Sequence, residues 1–283
     1  MADPREKSLA CLSKTGFHKL SYRESGPDHP VPVVCLHGLA RNARDFDNLA
    51  AALVASGRRV VCADVVGRGK SGRLRDPLDY GYPQYLADTA ALIARLDCEV
   101  VDIVGTSMGG LIGMMLAAQP EAPLRRLVIN DVGPFIPKAA LERILDYLGR
   151  DPRFPDLAAA EVYHRRVYRS FGDLSDAQWR YMTETSVRRD GEGWRLHYDP
   201  RIAEPLRAAE LADVDLWALW DAIACPTLVL RGAESDLLLA ETAAEMRTRG
   251  PRAEVIEFAG CGHAPALLDA AQIDPVKDWL NAE

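Results

Sequence analysis

Basic residues are in short supply: 34 lysines and arginines stand against 41 aspartates and glutamates, a formal net charge of −7. That balance leaves no basic footprint for nucleic acid or an anionic membrane surface, and neither is expected as a partner. Long apolar runs are missing too. Nowhere do about 18 apolar residues follow one another, so no membrane-spanning helix is expected. The opening MADPREKSLACLSKTG has no apolar stretch of the length a secretory leader needs. Cysteines are few and scattered (Cys11, Cys35, Cys62, Cys98, Cys225, Cys261), with no CxxC pair. Cys35, Cys62 and Cys225 lie in or beside apolar runs and read as small buried hydrophobes, which points to a reducing, cytoplasmic compartment. Internal repeats and low-complexity tracts are lacking as well.

What is present is ordinary for a globular chain: 283 residues, 48% apolar and 27% charged, enough for one large domain or a domain with an insert. Short apolar runs at 31–36, 58–63, 100–105, 125–130, 226–231 and 253–258 read as strands buried on both faces. Between them FDNLAAALVAS (46–56), YLADTAALIARL (85–96), SMGGLIGMMLAA (107–118) and LAETAAEMRTR (239–249) have helical spacing. This alternation predicts an α/β fold with an open, doubly wound, mostly parallel sheet. FHKLSYRES (17–25) adds a candidate antiparallel strand at its edge.

The rhythm breaks between strands 125–130 and 226–231, where three helical segments follow one another with no buried-strand pattern. An excursion of about 80 residues is too long for a loop, so 134–215 is expected to be an inserted helical lid on a core formed by 1–133 and 216–283. GPFIP (133–137) and ELADVDLW (210–217) are the candidate outgoing and return segments.

The chemistry concentrates in GTSMG (105–109), which sits between an apolar strand and an apolar helix. A Gly-x-Ser-x-Gly turn there can project the Ser107 hydroxyl from the sheet edge on strained backbone, with glycines where side chains would clash. The helix N-terminus favours the negative charge that develops. A serine needs a base. His263, in FAGCGHAPAL after the last strand, reaches the same carboxyl edge, where open α/β sheets bind ligands. The histidine needs an orienting carboxylate. Asp236, in RGAESD after strand 226–231, is the candidate acid, with Glu234 on the same loop and Asp131 after strand 125–130 as rivals. Two N–H donors must hold an oxyanion. Met108 supplies one from the residue after the serine, and Leu39, in CLHGLARN, the other. His37 beside it reads as a structural prop of that loop. Arg41 is a candidate contact for a substrate carboxylate. DVVGRGKSG (64–72) fails the GxxxxGK[ST] phosphate-loop spacing and reads as a turn beside the site.

Together these motifs resemble a lidded α/β-hydrolase, in the expected order from about residue 30 to the C-terminus: His37-Gly38-Leu39, DVVGRGKS, GTSMG, Asp236 and Gly262-His263. The GxSMGG form is similar to that of enol-lactonases, meta-cleavage-product hydrolases, bacterial esterases and haloperoxidase-like enzymes. Dehalogenases and most epoxide hydrolases of this fold carry an aspartate at the elbow, so Ser107 speaks against their chemistry. The resemblance implies an acyl-enzyme hydrolase of a small carboxylic ester or lactone, with no metal or organic cofactor. Cleavage of a carbon–carbon bond in a meta-cleavage-type diketo acid is the alternative within the same triad. A low-turnover ligand-binding protein of this fold is the alternative of another class. Trp179, Tyr181 and Trp194 in the insert hint at an apolar or aromatic substrate. Oligomeric state carries no sequence signal.

Overall fold

The computed structural model describes residues 4–282; Met1–Asp3, the first residues of the opening segment, and Glu283 lie outside the described residues. The chain begins with an antiparallel hairpin, β1 (Arg5–Ser13) and β2 (Gly16–Ser25), followed by β3 (Val33–Leu36), α1 (Asp47–Ala55), β4 (Val60–Asp64), α2 (Tyr82–Arg95), β5 (Val101–Thr106), α3 (Met108–Ala117) and β6 (Leu124–Asn130). An insert follows: β7 (Phe135–Ile136), α4 (Lys138–Leu145), β8 (Arg153–Phe154), α5 (Leu157–Val167), α6 (Asp176–Ser186), β9 (Val187–Asp190), β10 (Gly193–Leu196), α7 (Glu204–Ala208) and β11 (Val214–Asp215). The chain closes with α8 (Trp217–Asp221), β12 (Thr227–Gly232), α9 (Ala240–Met246), β13 (Glu254–Phe258) and α10 (Ala270–Asn281).

The main sheet has eight strands in the order β1-β2-β4-β3-β5-β6-β12-β13. The hairpin pairs antiparallel at one edge, and the six strands from β4 to β13 run parallel. Successive residues of each parallel strand point to opposite faces, so an unbroken apolar run serves two cores at once. In β3, Val34 and Leu36 join one core while Val33 and Cys35 join the other; in β6, Leu127 and Ile129 oppose Val128. Helices α2, α3 and α8 cover the first face through Leu92, Ile112 and Trp220. Helices α1 and α10 cover the second through Leu49, Leu53, Val276 and Leu280. The doubly wound reading of the sequence therefore matches the architecture. Not anticipated in the core are β1, α8 and α10. Pro275 lies inside α10, where it breaks the helical pattern of the sequence.

The insert leaves after β6 and returns before β12. Its two ends meet: β7 pairs antiparallel with β11, and the Leu216 N–H donates to the Pro134 carbonyl at 2.7 Å. Besides α4, α5 and α6 it contains a three-stranded antiparallel sheet in the order β8-β10-β9, which the sequence did not signal. These strands are two to four residues long and carry Arg153, Arg188, Arg189 and Arg195, so no period-2 apolar pattern forms. No helix among the described residues is long and apolar enough to cross a membrane.

Candidate active site

β5 ends at Thr106 and α3 starts at Met108, leaving Ser107 alone in the turn at φ +52° and ψ −115°. A non-glycine residue at such angles is strained and persists only where its surroundings fix it. The flanking glycines supply that constraint. A Cβ on Gly109 would collide with the Leu36 carbonyl, and one on Gly105 with the backbone of Gly109 and Gly110. Helix α3 can thus approach β3 and β5 only because these positions lack side chains. The Ser107 N–H is tied to the Asn130 carbonyl at 2.9 Å.

His263 Nε2 lies 3.0 Å from Ser107 Oγ, and His263 Nδ1 lies 2.7 Å from Asp131 Oδ2. A carboxylate only accepts, so Nδ1 carries the proton and Nε2 offers its lone pair to the serine hydroxyl. Asp131 is fully buried and accepts two further bonds, from the Gly232 N–H at 2.8 Å and from Ser235 Oγ at 2.6 Å.

At the acid the structure departs from the sequence expectation. Asp236 is not against His263; it is half exposed and paired with Arg143 of α4, whose Nη2 donates to Oδ1 at 2.8 Å. The reason is strand order: β6 lies between β5 and β12, so the residue following β6 starts one strand closer to Ser107. Asp131 is the first residue beyond β6, at φ +58°, while the loop after β12 carries Asp236 outward. Glu234 likewise faces a side groove rather than the histidine. The available signal was INDVGP itself, an aspartate directly following a fully buried strand.

The loop after β3 packs against the serine: a Cβ added to Gly38 would lie 3.8 Å from Ser107 Cβ. Leu39 and Met108, the expected oxyanion donors, line the same cavity as Ser107 and His263. His37 is fully buried, its Nδ1–H donating to the Gly38 carbonyl at 2.7 Å and its Nε2 accepting from the Val65 N–H at 3.0 Å. Burial pushes its pKa down to about 3, so it is a neutral strut. Sequence reasoning missed Arg68, in the glycine-rich turn. Its buried guanidinium donates to the carbonyls of Leu39 (2.9 Å) and Val66 (2.7 Å) and to Tyr85 Oη (3.0 Å), and lies 3.6 Å from Met108 Sδ. One side chain thus touches both residues expected to hold the oxyanion. The turn itself closes on Asp64, which accepts from the N–H groups of Ala43 and Lys70, each at 2.8 Å.

Arg41 lines the cavity, but its guanidinium is already engaged by Asp45, by Ser186 Oγ at 2.8 Å and by the Tyr168 ring at 4.9 Å. Burial alone would lower its pKa; the Asp45 carboxylate outweighs that and raises it. Arg41 therefore fastens the insert to the core. Ser170 does the same beside the histidine: its Oγ donates to the His263 carbonyl at 2.5 Å and its carbonyl accepts from the Gly262 N–H at 2.7 Å. Under the insert lies a mostly apolar cavity of about 510 Å³ with Ser107 and His263 in its wall, lined by Leu111, Ile144, Tyr147 and Phe171 among others. Of the three aromatics singled out in the sequence, Tyr181 lines it, whereas Trp179 is packed in a small core with Tyr168 and Met182. Trp194 lies outside the lining, on β10 under the Arg189 guanidinium.

With this geometry in place, comparison with known proteins gives a consistent picture. The sequence model of the Alpha/beta hydrolase family matches residues 33–274. A curated relative from Cupriavidus necator, a 3-hydroxybutyrate-oligomer hydrolase, is 46% identical over 282 residues, covering 96% of each chain. A 2-hydroxy-6-oxo-2,4-heptadienoate hydrolase from Pseudomonas putida is 26% identical, covering 89% of this chain and 90% of its own. Among solved structures, an alpha/beta hydrolase from Novosphingobium aromaticivorans superposes with a TM-score of 0.89 at 37% identity, covering 99% of both chains.

Proposed function

We propose that this chain, which belongs to the α/β hydrolase family, is a serine hydrolase of carboxylic esters acting through Ser107, His263 and Asp131. The observation that carries the reading is the unbroken hydrogen-bond chain from Ser107 Oγ through His263 to the buried Asp131 carboxylate, in the wall of an apolar cavity. His263 Nε2 takes the hydroxyl proton as Oγ attacks the substrate carbonyl, and Asp131 stabilises the imidazolium that forms. The N–H groups of Leu39 and Met108 hold the oxyanion, with Arg68 keeping both in place. Collapse expels the alcohol, which leaves with the proton from His263. Water, activated by the same nitrogen, then releases the acid. Residues 134–215 act as a lid that shields the acyl-enzyme and shapes the acyl and alcohol pockets.

The Cupriavidus necator relative supports oligoesters of 3-hydroxybutyrate as the substrate class. The Pseudomonas putida relative keeps a second reading in view, hydrolysis of a carbon–carbon bond in a diketo acid with the same residues. The test is turnover by purified protein of a 3-hydroxybutyrate trimer, a short-chain aryl ester and a coloured ring-fission diketo acid. We expect both esters to be cleaved, the diketo acid to be left intact, and Ser107→Ala to remove all activity while folding normally. An organophosphonate should label Ser107. Cleavage of the diketo acid alone selects the second reading, and full activity of Ser107→Ala ends both.

A further inference from the structure

Beside the catalytic cavity lies a second groove of about 440 Å³, outside the reacting groups. The two share a wall made of Arg143, Tyr147, Val167 and Ser170, and Ser170 is hydrogen-bonded to the His263 carbonyl. The groove brings together Arg143, Arg150, Arg166 and Arg169 with the carboxylates of Asp146, Glu234 and Asp236. Arg143 is neutralised by Asp236, and neighbouring Arg165 by Glu161 and Asp176. Among the described residues Arg150, Arg166 and Arg169 have no carboxylate ion-pair partner. All three are exposed at the rim of the groove, Arg166 with its guanidinium 5.7 Å from the Tyr163 ring centre.

We propose that Arg150, Arg166 and Arg169 form a subsite for the carboxylate end of the substrate, whose ester lies at Ser107. The inference rests on the ester-hydrolase reading and adds a substrate feature that the reacting groups do not specify. The four guanidinium groups of the groove outnumber its three carboxylates, and a bound anion balances the excess. Guanidinium forks match a carboxylate in geometry as well as charge. The surplus over the three acids is a single positive charge, which suits a monoanionic carboxylate better than a multiply charged phosphate. An oligoester of a hydroxy acid has this form: an apolar, uncharged body for the cavity and one carboxylate at its end.

The test uses binding, so that it stands apart from turnover. Ser107→Ala protein is titrated calorimetrically with a 3-hydroxybutyrate trimer and with its terminal primary amide, an uncharged analogue of the same shape. The acid should bind about tenfold more tightly than the amide, the size expected of a few solvent-exposed charge contacts. That preference should shrink with added salt. It should fall to near one in the same protein carrying R150Q, R166Q and R169Q; if that variant fails to fold, the three substitutions made singly should each lower the preference. Equal affinity for acid and amide, or a preference insensitive to both salt and the substitutions, overturns the proposal. Selective binding of the acid by a wild-type protein that hydrolyses neither the trimer nor the aryl ester would sink the ester-hydrolase reading and leave the arginine subsite standing.

Discussion

Replacing Asp131 with asparagine is the sharpest test of the site. The carboxylate is buried and accepts three bonds, from the Gly232 N–H, the Ser235 hydroxyl and His263 Nδ1. Asparagine keeps the volume and one acceptor oxygen. If that oxygen stays with Gly232, an NH2 group faces Nδ1, and His263 must adopt the tautomer that places its proton on the side of the serine. If the amide flips, Gly232 loses its acceptor instead. Either way the negative charge at 2.7 Å from the imidazole, on a fully buried carboxylate, is gone when the imidazolium forms. Loss of this kind costs about 10³–10⁴ in kcat, or about 4–5.5 kcal/mol of transition-state stabilisation. KM should move little, because Asp131 is not part of the cavity lining. Asp236→Asn is the matched control. It breaks a half-exposed ion pair with Arg143, and kcat should stay within about threefold. Steady-state kinetics on an aryl ester, with a circular dichroism melt to verify folding, gives both numbers. Should Asp236→Asn lose as much as Asp131→Asn, or Asp131→Asn keep near wild-type kcat, the assignment of the acid is wrong.

Two more perturbations probe the support around the site. Arg68→Lys keeps the charge but not the fork that reaches the Leu39 carbonyl, Val66 and Tyr85; kcat should fall roughly 10- to 100-fold with KM nearly unchanged. A rise in KM at constant kcat would place Arg68 in substrate binding instead. Acid stability follows from His37 and His164, whose pKa values burial pushes down to about 3. In both, the unfolded state takes up the proton first, so stability is full above the unfolded value of about 6.5 and declines as pH falls towards 3. At pH 5 each contributes a loss of about 2 kcal/mol relative to pH 7. Urea midpoints at the two pH values measure the sum, and His164→Gln should flatten the slope; an unchanged slope in that variant would contradict the account.

The sheet was legible because each central strand is apolar on both faces, a pattern that continuous runs such as VPVVCL advertise. The serine and histidine were legible because their turns carry local glycine signatures. The acid was not, because its choice depends on strand order: β6 and β12 both deliver an aspartate loop to the same edge, and only the spatial sequence β5-β6-β12 says which is nearer. Arg68 escaped notice because an arginine in a polar turn looks solvated until the fold closes over it. The groove arginines stay exposed: Arg166 and Arg169 come from the end of α5 and the turn after it, and only the fold brings Arg150, from the loop after α4, beside them.

The two hydrogen bonds of Ser170 carry a further consequence. Ser170 belongs to the insert, yet it holds the backbone of Gly262 and His263 from both sides of a peptide unit. Any motion large enough to lift this part of the insert must release the loop that aims the imidazole. The support of the imidazole is thus split between core and insert: Asp131 holds its ring, and Ser170 holds its backbone.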